Sequence, residues 1–343
     1  MKIFNKILLA QKEQLPFVAY RKPNQENIAA FFQKNNQLYN TTDFSEKGFV
    51  FAPFDHIKNS ILIPSEKADF FTEELSELVL EFSETHFIND EASKENHVTL
   101  IKEGVEAIKT GLFKKVVLSR REEIEISDFD VTNTFKRLLQ TYKNAFVYVW
   151  FHPKVGLWMG ATPETLIRIQ GDTFETMSLA GTQEYKGAVE VKWKAKELYE
   201  QQLVTDYVLD KLKPICSVVT AKKVKTIRAG NLLHLKTQIT GSFINNTTSL
   251  ISILHPTPAV CGFPKEASKT FILEKENYDR AFYTGFLGEL NIPNSELYVN
   301  LRCMQYEHDK IKIYVGGGIT IDSNAEREWE ETVSKTKTIK KVL

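Results

Sequence analysis

The 343-residue chain lacks an excess of charge: 44 lysines and arginines stand against 44 aspartates and glutamates. A general nucleic-acid or anionic-membrane surface needs one sign to dominate, so those classes are excluded and only a local basic pocket is left open. Cysteine is scarce, with three in all. Cys216, Cys261 and Cys303 are far apart and form no Cys-x-x-Cys pair. They suit buried thiols in a reducing compartment rather than a disulfide framework or a zinc site. Long hydrophobic runs are missing too. MKIFNKILLAQKEQL at the N-terminus holds only four consecutive apolar residues, 7–10, too few for a secretory signal or a membrane span. A cytoplasmic protein is expected. The 42% hydrophobic content still supplies a substantial core and excludes a disordered chain.

What is present is a mixture of long helices and short strands. Residues 70–87, FFTEELSELVLEFSETHF, read as a helix. Residues 97–111 place Leu100, Ile101, Val105 and Ile108 on one helical face, with Gly111 at the stop. KKVVLSRREEIEI at 114–126 is rich in β-branched residues and reads as a strand. Short strands with turns at His152-Pro153 and Gly171-Asp172 follow, then a long amphipathic helix over 191–214. Strands are expected around NLLHLKTQITGSF, ELYVNLRCMQYE and KIKIYVGGGITI, a helix at PKEASKTFILEKE, and a glutamate-rich helix at the end. This ordering indicates an α+β protein rather than a βαβ alternation. No linker stands out, so residues 1–343 are expected to form a single domain.

The last helix poses the first chemical question. In AEREWEETVSKTK, residues 325–337, Glu328, Glu331 and Lys335 share a helical face, while Glu326 and Glu330 point elsewhere. Two carboxylates on one face repel unless water, a lysine or a metal balances them. The long middle helix repeats the arrangement with Glu197 and Glu200. Four carboxylates converging from two helices would suit a hard divalent cation, which prefers oxygen ligands and retains waters. Solvent-facing pairs satisfied by Lys194, Lys196 and Lys335 are the alternative, and spacing alone leaves both open. VGGGIT at 315–320 ends a strand with three glycines, which permits close backbone approach to a ligand. It lacks the spacing of a dinucleotide loop and the lysine of a phosphate loop. Lys115 opens a strand and Glu164 follows Pro163 at a turn; each is a surface charge or, if buried, a candidate base and acid. His234 and His255 could orient a substrate, although a lone histidine near a strand is usually a structural hydrogen-bonder.

Taken together, KVVLSR, GATPETLIRI, SLAGTQ, YEQQLV, HPTPAVCGFP, DRAFYTGFLGEL, LRCMQ and VGGGITIDSNAEREWEET resemble the chorismate-utilising enzymes, most closely the isochorismate synthases. The segments occur in the family's order and span roughly residues 97–340, the chorismate-binding core; residues 1–96 match only loosely. The resemblance implies two similar antiparallel β-sheets packed face to face with helices outside, and a cleft that isomerises chorismate to isochorismate with Mg2+. It places the metal ligands at Glu200 and Glu331, with Glu197 and Glu328 in support through water. It makes Lys115 the base that activates water for attack at C2 and Glu164 the acid that protonates the departing C4 hydroxyl, with pKa values tuned by the site. Gly181 and Thr182 would contact the ring carboxylate. Arg302 would clamp the enolpyruvyl carboxylate, with Gly316 and Lys335 beside it, and His234 and His255 would line the ring pocket.

The same positions separate relatives within the resemblance. Glutamine in place of Lys115 would suit anthranilate synthase, and lysine in place of Ala180 aminodeoxychorismate synthase, so both are disfavoured. Salicylate synthase, which goes on to eliminate pyruvate, is the alternative: Ala259 and Val260 follow the isochorismate synthase pattern, whereas Tyr283 and Leu301 follow the salicylate one. A catalytically silent chorismate-binding protein is the other alternative, opposed by intact Lys115, Glu164, Glu200 and Glu331. Chorismate is the only expected partner, with no nucleic acid and no membrane, and a monomer is expected. Whether the product feeds menaquinone or a siderophore is not encoded in these motifs.

Overall fold

The computed structural model describes residues 2–55, 59–76, 91–229, 232–244 and 247–343. Its strands form two sheets of nine and ten strands, with every pairing antiparallel. The central strand Phe146–His152 shows why they stack. Phe146, Tyr148 and Trp150 enter the cluster shared by both sheets, while Val147, Val149 and Phe151 enter the cluster beneath the outer helices. Two-residue periodicity turns one fully buried strand into two packed faces. In the ten-stranded sheet, Gly48–Ala52 does the same, with Phe49 and Phe51 facing inward and Val50 and Ala52 outward. The interior layer is aromatic: Phe146 stacks on Tyr298 and Phe51 on Phe282, both with centroids 4.2 Å apart. Such pairs add about 0.5–1.5 kcal/mol each beyond their buried area.

The helices cover the outer faces. Lys2–Lys12 and Val131–Thr141 pack on the nine-stranded sheet, and Ala195–Leu212 and Thr247–Leu254 on the ten-stranded sheet. The helices of residues 2–12 and 131–141 are absent from the sequence reading. The first buries Ile3, Phe4, Ile7 and Ala10 along one face; the second is capped by Asp130, which accepts from the Asn133 amide at 2.9 Å. The helix expected over 70–87 is not formed at its start. Residues Ala68–Glu74 are a strand paired to Asn27–Gln33, where Phe70 meets Phe31 and Phe71 meets Phe32 across the ladder. Cross-strand aromatic pairing outweighs local helical preference there. Residues 77–87 of that expected helix lie outside the described residues.

Two crossings between the sheets position the site. The chain leaves the nine-stranded sheet after Gly156–Thr162 and enters the ten-stranded sheet at Thr165–Gln170, passing through Pro163 and Glu164. It returns from Asn294–Val299 to Cys303–Glu307 through Asn300, Leu301 and Arg302. The single strand expected over 296–307 is therefore two, one in each sheet. The crossings are tied together: the Val299 amide donates to the Glu164 carbonyl at 3.0 Å, and the Thr162 hydroxyl donates to the Val299 carbonyl at 2.5 Å. Arg302 adopts φ +48°, a left-handed conformation that a non-glycine residue holds only when its surroundings impose it.

Candidate active site

A cavity of about 160 Å³ opens between the two crossings, the paired strands Lys115–Glu125 and Lys310–Ile319, and the two glutamate-bearing helices. Its walls include Lys115, Glu164, Gly181, Glu200, His234, Ala259, Tyr283, Leu301, Arg302, Gly316, Glu331 and Lys335. The predicted residues, scattered over more than 200 positions of sequence, thus largely share one wall system.

The acid candidate is strongly perturbed. Glu164 is 5% exposed, and burial pushes its carboxyl up to about 7, against the opposing pull of the Lys115 ammonium. A carboxyl at that value holds a proton it can surrender near neutrality. Lys115 is also buried, and its Nζ donates to Glu200 Oε1 at 2.5 Å. On the terminal helix, Lys335 Nζ donates to Glu331 Oε1 at 2.7 Å and to the Gly316 carbonyl at 2.9 Å. Lys335, with a weaker contribution from Lys115, holds the Glu331 carboxyl below its ordinary value despite burial, so it stays ionised. Glu326 turns away toward Lys94 and Glu330 is exposed, as the helical spacing requires.

Arg302 is arranged for an anion, and a histidine and a glycine share its cavity. The Arg302 guanidinium lines the cavity, and no hydrogen bond from it to a described residue competes for its donors. A fork of free N–H groups in a concave site matches a carboxylate. His234 Nδ1 lies 3.0 Å from the Gly181 carbonyl, which requires the N–H on that nitrogen. Burial first, with Lys335 and Arg302 adding, lowers its pKa to about 4, so the ring is neutral near pH 7. Gly181 takes φ +65°, and a Cβ there would press on the Glu197 Cβ at 3.2 Å and the Trp193 ring at 3.4 Å.

The glycines of VGGGIT bring the two acidic helices together. A Cβ at Gly318 would lie 3.1 Å from Lys115 Cε and 3.6 Å from Glu200 Oε1; one at Gly317 would lie 3.5 Å from Glu328 Oε2. Any side chain there would fill the space between the carboxylates. Glu197 Oε2 is buried without a hydrogen-bond partner, an arrangement that costs free energy unless something else satisfies it. Among the described residues no three acidic, histidine or cysteine side chains are clustered tightly enough to hold an ion alone. The donor set fits a hard cation bound by one or two carboxylates and completed by water, not a closed protein cage.

His255 does not join this cavity. Its Nε2 lies 3.0 Å from the Pro53 carbonyl, its ring stands edge-on to Phe286, and it lines a separate cavity with Lys265. The expectation that it lines the ring pocket is corrected: backbone bridging holds it elsewhere. Thr182 sits in the strand Thr173–Glu184, opposite His234, but its side chain lies outside the described residues. Glu197 and Glu328 flank the cavity through Gly181 and Gly317 rather than lining it.

Docking residues escaped the sequence reading. The Gln201 amide donates to the Ser178 carbonyl and hydroxyl and to Thr237, fixing the helix that carries Glu197 and Glu200. Arg120 lies 4.3 Å over the Trp329 ring and donates to Thr332 at 2.8 Å, fixing the helix that carries Glu328 and Glu331. The only signal was their place inside the quoted segments YEQQLV and KVVLSR.

A family profile described as "Chorismate binding enzyme" matches residues 29–343. Isochorismate synthase DhbC of Bacillus subtilis (strain 168) is 28% identical over 318 residues, covering 85% of this chain and 79% of that protein. The vibriobactin-specific isochorismate synthase of Vibrio cholerae is 30% identical over 239 residues, covering 66% of this chain and 60% of that protein. The solved structure of DhbC from Bacillus anthracis superposes with a TM-score of 0.81 at 25% identity and 99% coverage of both chains.

Proposed function

The chain belongs to the chorismate-binding enzyme family, and we propose on that premise that it isomerises chorismate to isochorismate. The observation that carries the reading is the pairing of a buried carboxyl, Glu164, raised to about 7, with a buried lysine, Lys115, in one anion-lined cavity. Lys115 orients water and, once it has given up its own proton, takes one from that water for attack at ring carbon C2. Glu164 delivers its proton to the C4 hydroxyl as that group leaves. Arg302 takes the enolpyruvyl carboxylate, while Gly181, held by the neutral His234, faces the ring carboxylate with Thr182 beside it.

Mg2+ is the hard cation we assign to the acidic helices. Glu200 and Glu331 would hold it, with Glu197 and Glu328 acting through water, and the orphaned Glu197 oxygen supports that assignment. Once bound, it supplies positive charge that offsets the ring carboxylate among four glutamates. Lys115 donates to Glu200, so the base and one of the carboxylates that would hold the cation are directly linked.

We take residues 1–343 as one catalytic unit. Residues 1–96 support this by supplying strands Phe17–Arg21, Asn27–Gln33 and Ala68–Glu74 to one sheet and Tyr39–Thr41, Gly48–Ala52 and Ser60–Pro64 to the other. Among the described residues no helix is long and apolar enough to cross a membrane. The three unpaired thiols suit the cytoplasm, where we place the protein. Salicylate synthesis is the second reading, favoured by Tyr283 and Leu301 in the cavity wall. Incubation with chorismate and Mg2+, without ammonia, tests both. Isochorismate as the main ring product supports the proposal; salicylate with equal pyruvate would replace it, and unchanged chorismate would remove both.

A further inference from the structure

Resting on that isomerase reading, we propose that the buried Glu276–Arg280 ion pair is a positioning element that decides where the reaction stops. Neither side chain lines the cavity, and their side chains are 1% and 2% exposed. Yet the pair touches three walls at once. Arg280 donates to the Val117 carbonyl at 2.6 Å, the Val260 carbonyl at 3.1 Å and the Thr284 hydroxyl at 3.3 Å. Glu276 accepts from Arg280 and from the amide and hydroxyl of Ser119, at 2.7 and 2.8 Å. Val117 is two residues from Lys115, Val260 adjoins Ala259, and Thr284 adjoins Tyr283. One guanidinium therefore fixes the base, the loop of residues 259–260 and the tyrosine relative to one another.

A buried ion pair is a poor source of stability, because desolvation offsets its attraction and an apolar pair often does as well. The fixed fork of arginine instead specifies direction. That matters for a reaction that has to halt. Elimination from isochorismate moves the C2 hydrogen to the terminal methylene of the enolpyruvyl group while the C3–O ether bond breaks. Salicylate and pyruvate form, with no other reactant. The transfer needs the side chain folded over C2, and walls held rigidly apart from that alignment release isochorismate first.

Arg280→Lys keeps the charge but offers one point donor where the fork spans two carbonyls and a hydroxyl. The pyruvate-to-isochorismate ratio, measured at matched chorismate consumption, should rise by roughly 10-fold, the scale on which small misplacements change rates. Ile7→Val, in the distant helix Lys2–Lys12, should leave the ratio at the wild-type value and controls for simple destabilisation. A folded Arg280→Lys enzyme with the wild-type ratio overturns the proposal. If that variant does not fold, Ser119→Ala deletes the hydroxyl donor to Glu276, together with its 2.6 Å contact to the Tyr278 hydroxyl, and should raise the ratio in the same direction by about 2-fold, the scale of a weakened hydrogen bond. An unchanged ratio there overturns it equally. Wild-type enzyme that forms no isochorismate would instead remove the underlying functional reading.

Discussion

The two helices that carry glutamates to the cavity are anchored by opposite means. Ala195–Leu212 is held by neutral groups: the Gln201 amide on Ser178 and Thr237, and Thr205 on Ser178 at 2.7 Å. Ala325–Lys340 is held by charge and stacking: Arg120 over Trp329, Lys340 on Glu122, and the Tyr142 hydroxyl on the Thr338 carbonyl. The carboxylates follow suit. Glu331 has its own lysine one turn away, whereas Glu197 keeps a buried oxygen with no partner and Glu200 takes its lysine from the catalytic strand. One helix arrives neutralised and the other arrives incomplete, so the proposed cation would satisfy chiefly the second.

The largest effects are expected from breaking either half of the proposed cation site. Glu200→Gln and Glu331→Gln should each lower turnover by about 10³-fold while the fold persists, since a hard cation loses both charge and geometry. Calorimetric Mg2+ titration sharpens the contrast, with Glu200→Gln weakening binding more than Glu331→Gln. Equal, undiminished affinities would erase the distinction between the helices.

Lys115→Ala and Glu164→Gln come next, each costing about 10²-fold or more in kcat with smaller changes in KM. Glu164 is protonated below about 7 and ionised above it, so wild-type kcat should decline as pH rises through that value. A rate that is flat from pH 6 to 9 would remove Glu164 as the acid.

Anchoring is worth less. Arg120→Ala should lower stability by about 2–3 kcal/mol, because it removes a stacked cation and its hydrogen bonds to Thr332 and Glu122. Gln201→Ala should cost about 1–2 kcal/mol, the range for neutral buried hydrogen bonds. Denaturant unfolding of the two variants reads the difference, and a reversed order would contradict the contrast drawn between the helices.

The last effect is a gain. The folded pKa of Glu164 is raised from 4.5 to about 7, so the native state keeps a proton that the unfolded chain has released. Stability is complete below the unfolded value and is lost as pH rises through 7. That shift corresponds to on the order of 3 kcal/mol. Glu164→Gln should therefore melt higher than wild type at pH 8 and converge with it near pH 4. Parallel melting curves across that range would show that the carboxyl is not strained.

Much of this was legible beforehand. The α+β class, the strand at Lys115 and both acidic helices followed from periodicity, and the helical spacing correctly separated Glu328, Glu331 and Lys335 from Glu326 and Glu330. Partners across the fold were not legible. Helix spacing alone left Glu200 with a choice of nearby lysines, yet it pairs with Lys115, 85 positions away. His255 reads like His234 in sequence, and only the nearness of the Pro53 carbonyl draws it out of the cavity. The strand break before Cys303 has no glycine or proline to announce it, because the left-handed Arg302 is imposed by the crossing between sheets.

The central claim is that Lys115 and Glu164 add solvent water at C2 and expel the C4 hydroxyl within this cavity. Turnover of unlabelled chorismate in H2 18O with Mg2+, stopped early and analysed by mass spectrometry, tests it most directly. Isochorismate carrying one 18O at C2 is predicted, with Lys115→Ala abolishing its formation. Isochorismate formed without label would mean the hydroxyl migrates within the substrate, and would contradict the account.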